Sequence, residues 1–588
     1  MGGERKRGRL DSRPETRSLT PPDTAKTGLL GHPRGLLILF LTEMWERFSY
    51  YGMRSLLILY LTQHFLFSDS RSTLIYGAYT ALVYIMAVIG GALADRYLGA
   101  RKAVTFGAIL LVCGHAGMTL EGSGTRQFLN FRGIDYELAT IGRGGDASRV
   151  IVSRRGVSKI DIAGDRIRVE SPQTVGLPSA VPLAEAVMRQ EAQPLFQNIM
   201  YLSLATIIAG VGFLKANVST LVGSLYGAAD RRRDSGFTIF YMGINLGGFL
   251  APLLCGYLGI AYGWKYGFGL AGIGMAAGLA IFLAGRPWLE GRGEPPEPQR
   301  LKERVWLFLD REMLCYAGGL IMIIVSAALV IFNQIIGELL PWLGAGMLVF
   351  LCAYAFVGFA GVERDRMLVA IYVILAQIPF VALYEQVGSS FNLFTDRLVD
   401  RAVAGWTIPA PMFQSLDPAF IFLLAPVLAW LWVKLARANL EPSTPVKLSL
   451  AVCGVGLSFL ALVAGMKLSG PTGPTALVFV ILVYLINTLG ELLLVPVSLS
   501  AMTKLSPAKL GGLMMGAWFL YSGMSNYVAG LVAQATGART VGGVIADIGA
   551  AKANYEAVYS HTALAAIAAG VVMFLLSPVL KKLMHGEN

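Results

Sequence analysis

Glu43-Met44-Trp45-Glu46-Arg47-Phe48-Ser49-Tyr50-Tyr51-Gly52 lies inside an apolar run from about Leu36 to about Phe65, and its reading decides the fold. A run of that length can cross a bilayer as a helix. Three ionisable side chains within five residues are a poor composition for such a helix, because each charge at bilayer depth costs roughly 2.5–3.5 kcal/mol on insertion scales. Helical spacing groups them. Glu43 to Glu46 is i,i+3, and Glu43 to Arg47, Glu46 to Tyr50 and Arg47 to Tyr51 are i,i+4, with Arg54 two turns beyond Arg47. One face therefore carries acid, base and phenol, and it has to look into a polar interior. A structural ion pair that only locks helix packing is the plainer reading. Further charges in other apolar segments, Lys215, Glu385, Asp417 and Glu491, speak against it.

The composition extends this reading to the whole chain. Of 588 residues 55% are hydrophobic and 15% charged, whereas a soluble protein carries about a quarter charged residues. Apolar windows longer than 18 residues recur, so the chain is an all-α polytopic membrane protein whose surroundings are the lipid bilayer. The net charge of +12 would by itself suggest nucleic acid. Most of the Lys and Arg fall in segments that this topology places in the cytoplasm, which is the positive-inside bias, so no nucleic-acid partner is expected. The five cysteines lie in apolar segments without metal-ligand spacing and read as small hydrophobes. The basic first 33 residues lack a short apolar core and a small-residue cleavage site, and are expected to be a cytoplasmic tail.

Fourteen helices are expected, beginning near Leu36, Ser72, Arg101, Gln197, Gly236, Lys265, Glu312, Gly337, Met367, Pro409, Val446, Pro474, Gly511 and Asn554. An even number returns both termini to the cytoplasm. The organisation reads as a tail (1–35), three helices (36–121), an outer insertion (122–196), three helices (197–286), a polar Pro-containing cytoplasmic linker (287–312), an extra helix pair (313–361) and six final helices (362–588). Within the insertion, Val150-Ile151-Val152, Lys159 to Ile162 and Arg166 to Val169 alternate like strands around the turn Ala163-Gly164-Asp165, so a small β-rich periplasmic unit is expected.

Glu-x-x-Glu-Arg-Phe-x-Tyr-Tyr-Gly at 43–52 resembles the hallmark of the proton-dependent oligopeptide transporters (POT/PTR2), a branch of the major facilitator superfamily. Gly90-Gly91-Ala92-Leu93-Ala94-Asp95-Arg96-Tyr97-Leu98-Gly99-Ala100-Arg101-Lys102 resembles that superfamily's gate motif between helices 2 and 3. Phe237 to Phe249, with Asn245 directed at the cavity, resembles the family's second signature. The resemblance implies two six-helix bundles, with 313–361 matching the extra pair of bacterial members.

It also implies roles for the buried charges. Glu43, Glu46, Arg47 and Glu385 are expected to couple protons, with Glu385 paired to Arg54. Lys215, near the middle of its helix, cannot snorkel to an interface and needs a carboxylate, for which Glu43 or Glu46 is the natural candidate. Arg54 and Lys215 would take the carboxylate end of a peptide and Glu491 its amino group. Tyr50, Tyr51, Tyr84, Asn245, Trp518 and Ser522 are expected to line the cavity. Asp417 stands where family members usually carry Asn. It either adds a second acid beside Glu491 or only opens its helix, and the sequence leaves both readings open. His64, His115 and His561 match no proton-site pattern, so coupling rests on carboxylates, with protons as the coupling ion and no cofactor.

The expected activity is proton-coupled import of di- and tripeptides by alternating access, by a monomer in the bacterial inner membrane. A nitrate or small-anion carrier of the same fold is the first rival, and Glu491 counts against it. A receptor that binds through the insertion is the second, and it would gain nothing from charges buried on several helices. No nucleotide-binding loop or nucleophile–base set suggests an enzyme.

Overall fold

Long apolar runs have no water in a bilayer to satisfy their backbone groups, so they must bond internally as helices. The computed structural model describes residues 28, 31–141, 148–163, 166–227, 230–306, 309–507, 510–541 and 543–586. Most of the expected tail, the turn at Gly164-Asp165 and the start of the charged loop at Ala228-Ala229 lie outside them. Among the described residues, fourteen helices of 19 residues or more follow one another. The first six are α1 (Arg34–Leu59), α2 (Asp69–Leu93), α3 (Gly99–Met118), α4 (Pro194–Ser224), α5 (Arg233–Ala251, continued to Ala261) and α6 (Trp264–Ala284). Next come α7 (Arg311–Ile331) and α8 (Asn333–Gly358), then α9 (Gly361–Tyr384), α10 (Leu416–Arg437), α11 (Thr444–Leu468), α12 (Leu477–Leu505), α13 (Gly511–Ala535) and α14 (Ile548–Leu583). After Tyr384 the ninth segment continues through a 3-10 turn at Glu385–Gly388 into a short helix, Ser390–Leu398.

Among the described residues, eleven helical runs are long and apolar enough to cross a membrane, and one of these, Asp69–Met118, is α2 joined to α3. The gate motif is therefore not a loop. Ala94–Leu98 is a widened helical turn, and Gly99 at φ 71° lets the chain swing into α3. α1 is outside the eleven because of Glu43, Glu46, Arg47 and Arg54.

Two apolar cores result. Leu56, Tyr79, Leu204, Phe213 and Phe268 belong to the core of the N-terminal half. Phe380, Phe391, Phe459, Tyr555 and Tyr559 belong to that of the C-terminal half. The extra pair α7 and α8 is peripheral, and Ile324, Trp342 and Val357 stand well exposed on it, as lipid-facing side chains do. α1 packs between α5 and α6, and α2 packs on α13 across the two halves. The second contact is nearly backbone on backbone, since a Cβ on Gly77 would lie 2.8 Å from the Gly530 Cα.

Between α3 and α4 the chain builds a seven-stranded antiparallel sheet: β1 (Arg126–Phe131), β2 (Ile134–Ile141), β3 (Ser148–Ser153), β4 (Gly156–Ala163), β5 (Arg166–Val169), β6 (Ala180–Pro182) and β7 (Ala186–Glu191). Its order is β6-β5-β4-β3-β2-β1-β7. The two edge strands are therefore neighbours in sequence, joined by Leu183–Glu185 alone. Flat, seven strands would hold those edges roughly 29 Å apart, whereas four Cα steps reach at most roughly 15 Å. The sheet must roll. Rolled, it encloses Leu129, Tyr136, Ile151, Ile167 and Val181, and the same core takes in Val541 and Ala546 from the connection between α13 and α14. An insertion in the first half thus packs on the second.

The halves also bond to each other at this end. Arg397 donates to Asp69 at 2.7 and 3.0 Å, Gln63 to Asp396 at 2.8 Å, and Asn392 to the Ser55 carbonyl at 2.9 Å.

The approach of α5 to α1 depends on Gly247, where any Cβ would collide with the Met44 carbonyl and stand 3.0 Å from the Arg47 Cβ. Overpacking of this kind costs about 1–3 kcal/mol. Gly247→Val should lower the thermal unfolding midpoint of the detergent-purified protein. Gly318→Ala, whose Cβ meets nothing within 4 Å, should not. Equal midpoints would remove the steric account of the α1–α5 contact.

Candidate functional site

The hallmark stretch is helical throughout α1, so its i,i+4 spacing becomes contact. Arg47 Nε lies 3.0 Å from Glu43 Oε1 and 2.5 Å from Glu46 Oε2. All three are buried, Glu46 completely. Neither Glu46 Oε1 nor Arg47 Nη2 has a hydrogen-bond partner among the described residues. Two acids share one guanidinium, and the cluster keeps both acceptors and a donor unsatisfied among the described residues.

The expected partner for Lys215 is a correction. Lys215 forms no ion pair among the described residues; its Nζ sits 3.7 Å from the centre of the Tyr84 ring. Arg47, on the same helix as both acids, reaches them first, and Lys215 is left half-buried over the face of an aromatic quadrupole. Its field still reaches Glu43 and Glu46.

Two helical turns beyond Arg47, Arg54 crosses to the other half. Its Nη2 donates to Glu385, which begins the 3-10 turn after α9, and its Nε donates to the Tyr76 hydroxyl on α2 at 2.6 Å. A Cβ on Gly388 would collide with that hydroxyl, so the glycine makes room for Tyr76 to hold the guanidinium. Tyr76 is a site residue that sequence reasoning missed. Its only signal was position, two turns before Tyr84 on the same helix face.

At the far side Asp417 and Glu491 converge, from α10 and α12. Tyr384 Oη lies 2.8 Å from Asp417 Oδ2 and 2.8 Å from Glu491 Oε2. Thr488 Oγ1 lies 2.7 Å from Asp417 Oδ1 and 2.8 Å from the Tyr484 carbonyl. Each hydroxyl carries one proton. With both carboxyls ionised, only two of these four contacts are hydrogen bonds, and each proton added to a carboxyl makes one more. Neither acid forms an ion pair among the described residues. Asp417 does stand in the first turn of α10, but the preceding Ser415 spends its hydroxyl on the Phe249 carbonyl, and the Asp417 side chain faces the acid pair. Tyr384 and Thr488 escaped the sequence reading, since nothing in an apolar run marks which hydroxyl faces a carboxylate.

The remaining expected residues divide. Tyr50 and Tyr51 stack edge to face, Tyr50 5.5 Å from Arg47 and Tyr51 5.9 Å from Arg54. Asn245 spends its amide N–H on the Tyr241 carbonyl of its own helix. Ser522 lies one turn past Trp518, as expected, and donates to Gln377 of α9 at 2.8 Å. Together the expected site residues that ionise, buried or half-buried, are five acids (43, 46, 385, 417, 491) and three bases (47, 54, 215). Fully ionised they carry a net charge of −2, in surroundings where unpaired charge is costly. Such an array can take up protons and bind a ligand that carries both signs of charge.

Residues 101–548 match the sequence profile of the POT family (PTR2). The chain belongs to the POT family. It is 32% identical over 570 residues to the uncharacterized transporter YclF of Bacillus subtilis, covering 95% of this chain and 96% of that one. It is 31% identical to the peptide transporter YePEPT of Yersinia enterocolitica, over 85% and 88% of the two chains. Among solved structures, the peptide transporter POT in complex with alafosfalin superposes with a TM-score of 0.71 at 30% identity, over 96% of this chain and 98% of that one. A POT family transporter in complex with 5-aminolevulinic acid superposes with a TM-score of 0.70 at 26% identity, over 94% and 98%. This POT-family member is therefore a multi-pass membrane transporter of the major facilitator type, with a β-rich insertion.

The Arg54–Glu385 pair supplies a test independent of transport. Removing one partner of a buried pair leaves the other charged and alone, at a cost of about 3–5 kcal/mol. Arg54→Ala should lower the thermal midpoint sharply, and adding Glu385→Gln should recover much of the loss. Additive losses in the double variant would mean that the two side chains do not depend on each other.

Proposed function

We propose that this POT-family transporter imports di- and tripeptides together with protons, as a monomer in the bacterial inner membrane with both termini in the cytoplasm. The observation that carries the reading is the ion pair between Arg54 of one half and Glu385 of the other, set within an excess of buried acid. A proton arriving on Glu385 would remove its charge and free Arg54. Arg54 and Lys215 would then take the peptide's carboxylate while Asp417 and Glu491 take its ammonium group. A small anion would have to face those two acids, which is why the zwitterion is preferred. Glu43, Glu46 and Arg47 would carry protons through the first half, and Tyr50, Tyr51, Tyr84, Asn245, Trp518 and Ser522 would complete the cavity walls.

The peptide brings no net charge, so its movement draws on the membrane potential only through the proton, worth about 2.3 kcal/mol per 100 mV. Alternating access would separate the halves at the sheet end, where Asp69–Arg397 and Gln63–Asp396 now hold them. The Lys- and Arg-rich segments at the opposite end suit the cytoplasm.

Glu43→Gln, Glu46→Gln and Glu385→Gln should each cut gradient-driven dipeptide uptake into proteoliposomes at least tenfold, while counterflow exchange, which needs no net proton movement, survives in at least one of them. Three variants with undiminished concentrative uptake would make these acids structural. Asp417→Asn removes one of the two acids for which ammonium and proton compete, so its counterflow rate plotted against pH should move toward acid. Superimposable curves would leave Glu491 as the only acid at the amine end.

A further inference from the structure

Away from the central site, α3, the segment after α6 and the start of α7 line an open cavity of about 560 Å³. Arg101 and Lys102 stand in the first turn of α3, Thr105 and Phe106 in the next, and Ile109 one turn deeper. Eight residues of helix separate the first of these from the last, about 12 Å along the axis. Arg286 enters from the turn after α6, and Tyr316 from the second turn of α7, its ring 4.8 Å from that of Phe106. The cavity is therefore charged where the helices end and apolar where they run inward. It lies on the outside of the bundle, since Ile109 and Met313 beside it are about half exposed.

The charges do not balance. Arg101 pairs with Glu294, and Lys102 with Glu312 at 2.5 Å. Arg286 has no carboxylate among the described residues. It donates to the Thr105 hydroxyl at 3.0 Å, and its Nε is buried without a hydrogen-bond partner. Three cations against two acids leave one positive charge with an unused donor beside it, at the end of the bundle where α3 and α7 begin and α6 ends. A guanidinium held only by one hydroxyl keeps donors for a phosphate oxygen, and a small shift of Arg286 away from Thr105 would present its fork to an oxygen pair.

We propose that this cavity binds an anionic phospholipid, with its phosphodiester on Arg286, flanked by Arg101 and Lys102, and an acyl chain along Phe106, Ile109 and Tyr316. The single surplus charge matches the single net charge of a lipid such as phosphatidylglycerol, whereas a zwitterionic lipid would leave it unbalanced. The apolar inner wall distinguishes a lipid from free phosphate, which has nothing to place there. A lipid seated here would also fill the space between the first bundle and the extra helix α7. Basic pockets between helices at a cytoplasmic face are a general form of lipid recognition. This site requires only that the chain crosses a membrane, so it stands or falls apart from the peptide reading.

The full-length protein, purified in detergent, would be titrated with phosphatidylglycerol and with phosphatidylcholine of the same acyl chains, bound lipid being counted by native mass spectrometry. Phosphatidylglycerol should bind about tenfold more tightly or better, and Arg286→Gln should remove most of that preference, as loss of hydrogen bonds to a charged group implies. Arg286→Lys, which keeps the charge and loses the fork, should retain part of it. Inorganic phosphate at millimolar concentration should not displace the lipid. Equal binding of the two lipids, an unchanged preference in Arg286→Gln, or displacement by phosphate alone would each overturn the proposal. If Arg286→Gln does not fold, the wild-type preference between the two lipids decides the question by itself.

Discussion

A charge taken out of water into an apolar helix bundle must find a partner, and the partner dictates which surfaces meet. In this chain Arg54 finds Glu385 in the opposite half, Arg47 finds two acids on its own helix, and Asp417 and Glu491 find each other through Tyr384. The surrounding helices are arranged to permit this. Gly247 brings α5 against the backbone of α1 beside Arg47, and Gly77 brings α2 against α13 one residue from the tyrosine that holds Arg54. Apolar burial drives folding of each half into its own core. The crossing ion pair and the polar contacts around it determine how one half faces the other.

Much of this was legible in the sequence, for a physical reason. A transmembrane helix announces itself by length and apolarity, and a charge inside one announces itself by cost. Helix positions, the β character of the insertion and the convergence of Arg54 with Glu385 follow from those two facts and from the family resemblance. What stayed hidden was decided by three-dimensional neighbours. Lys215 lost its expected carboxylate because Arg47 is nearer to both glutamates, and a ring face took its place. Tyr76, Gln377 and Tyr384 are ordinary residues of apolar helices until a charged or amide group is placed opposite them. The sheet was underestimated in extent, because polar and charged residues (Arg126, Asn130, Asp135, Glu137) interrupt the apolar pattern of β1 and β2, β6 is only three residues long, and β7 is polar and mostly exposed. The gate motif, which the resemblance places between helices 2 and 3, is itself helical through Leu98, and Gly99 turns it into α3.

The rolled sheet adds a constraint that the helices alone would not impose. Its chain belongs to the first half, but Val541 and Ala546 of the second half complete its core, and Arg149 of β3 approaches Gly543 in the same connection. Any rearrangement that parts the halves at that end has to break this apolar seam together with Asp69–Arg397. In the proposed cycle the seam therefore adds to the stability of the closed sheet end, and the proton and peptide must together offset it.

The proposal that one ionised network both binds the peptide and carries the proton is tested most directly by proton flux. Purified protein in proteoliposomes, voltage-clamped with a potassium ionophore and loaded with a pH-sensitive dye, would receive external dipeptide with no imposed pH gradient. The account predicts saturable acidification of the lumen that tracks dipeptide entry and is absent for the same peptide blocked at both ends. Dipeptide entry with no accompanying proton movement would contradict it.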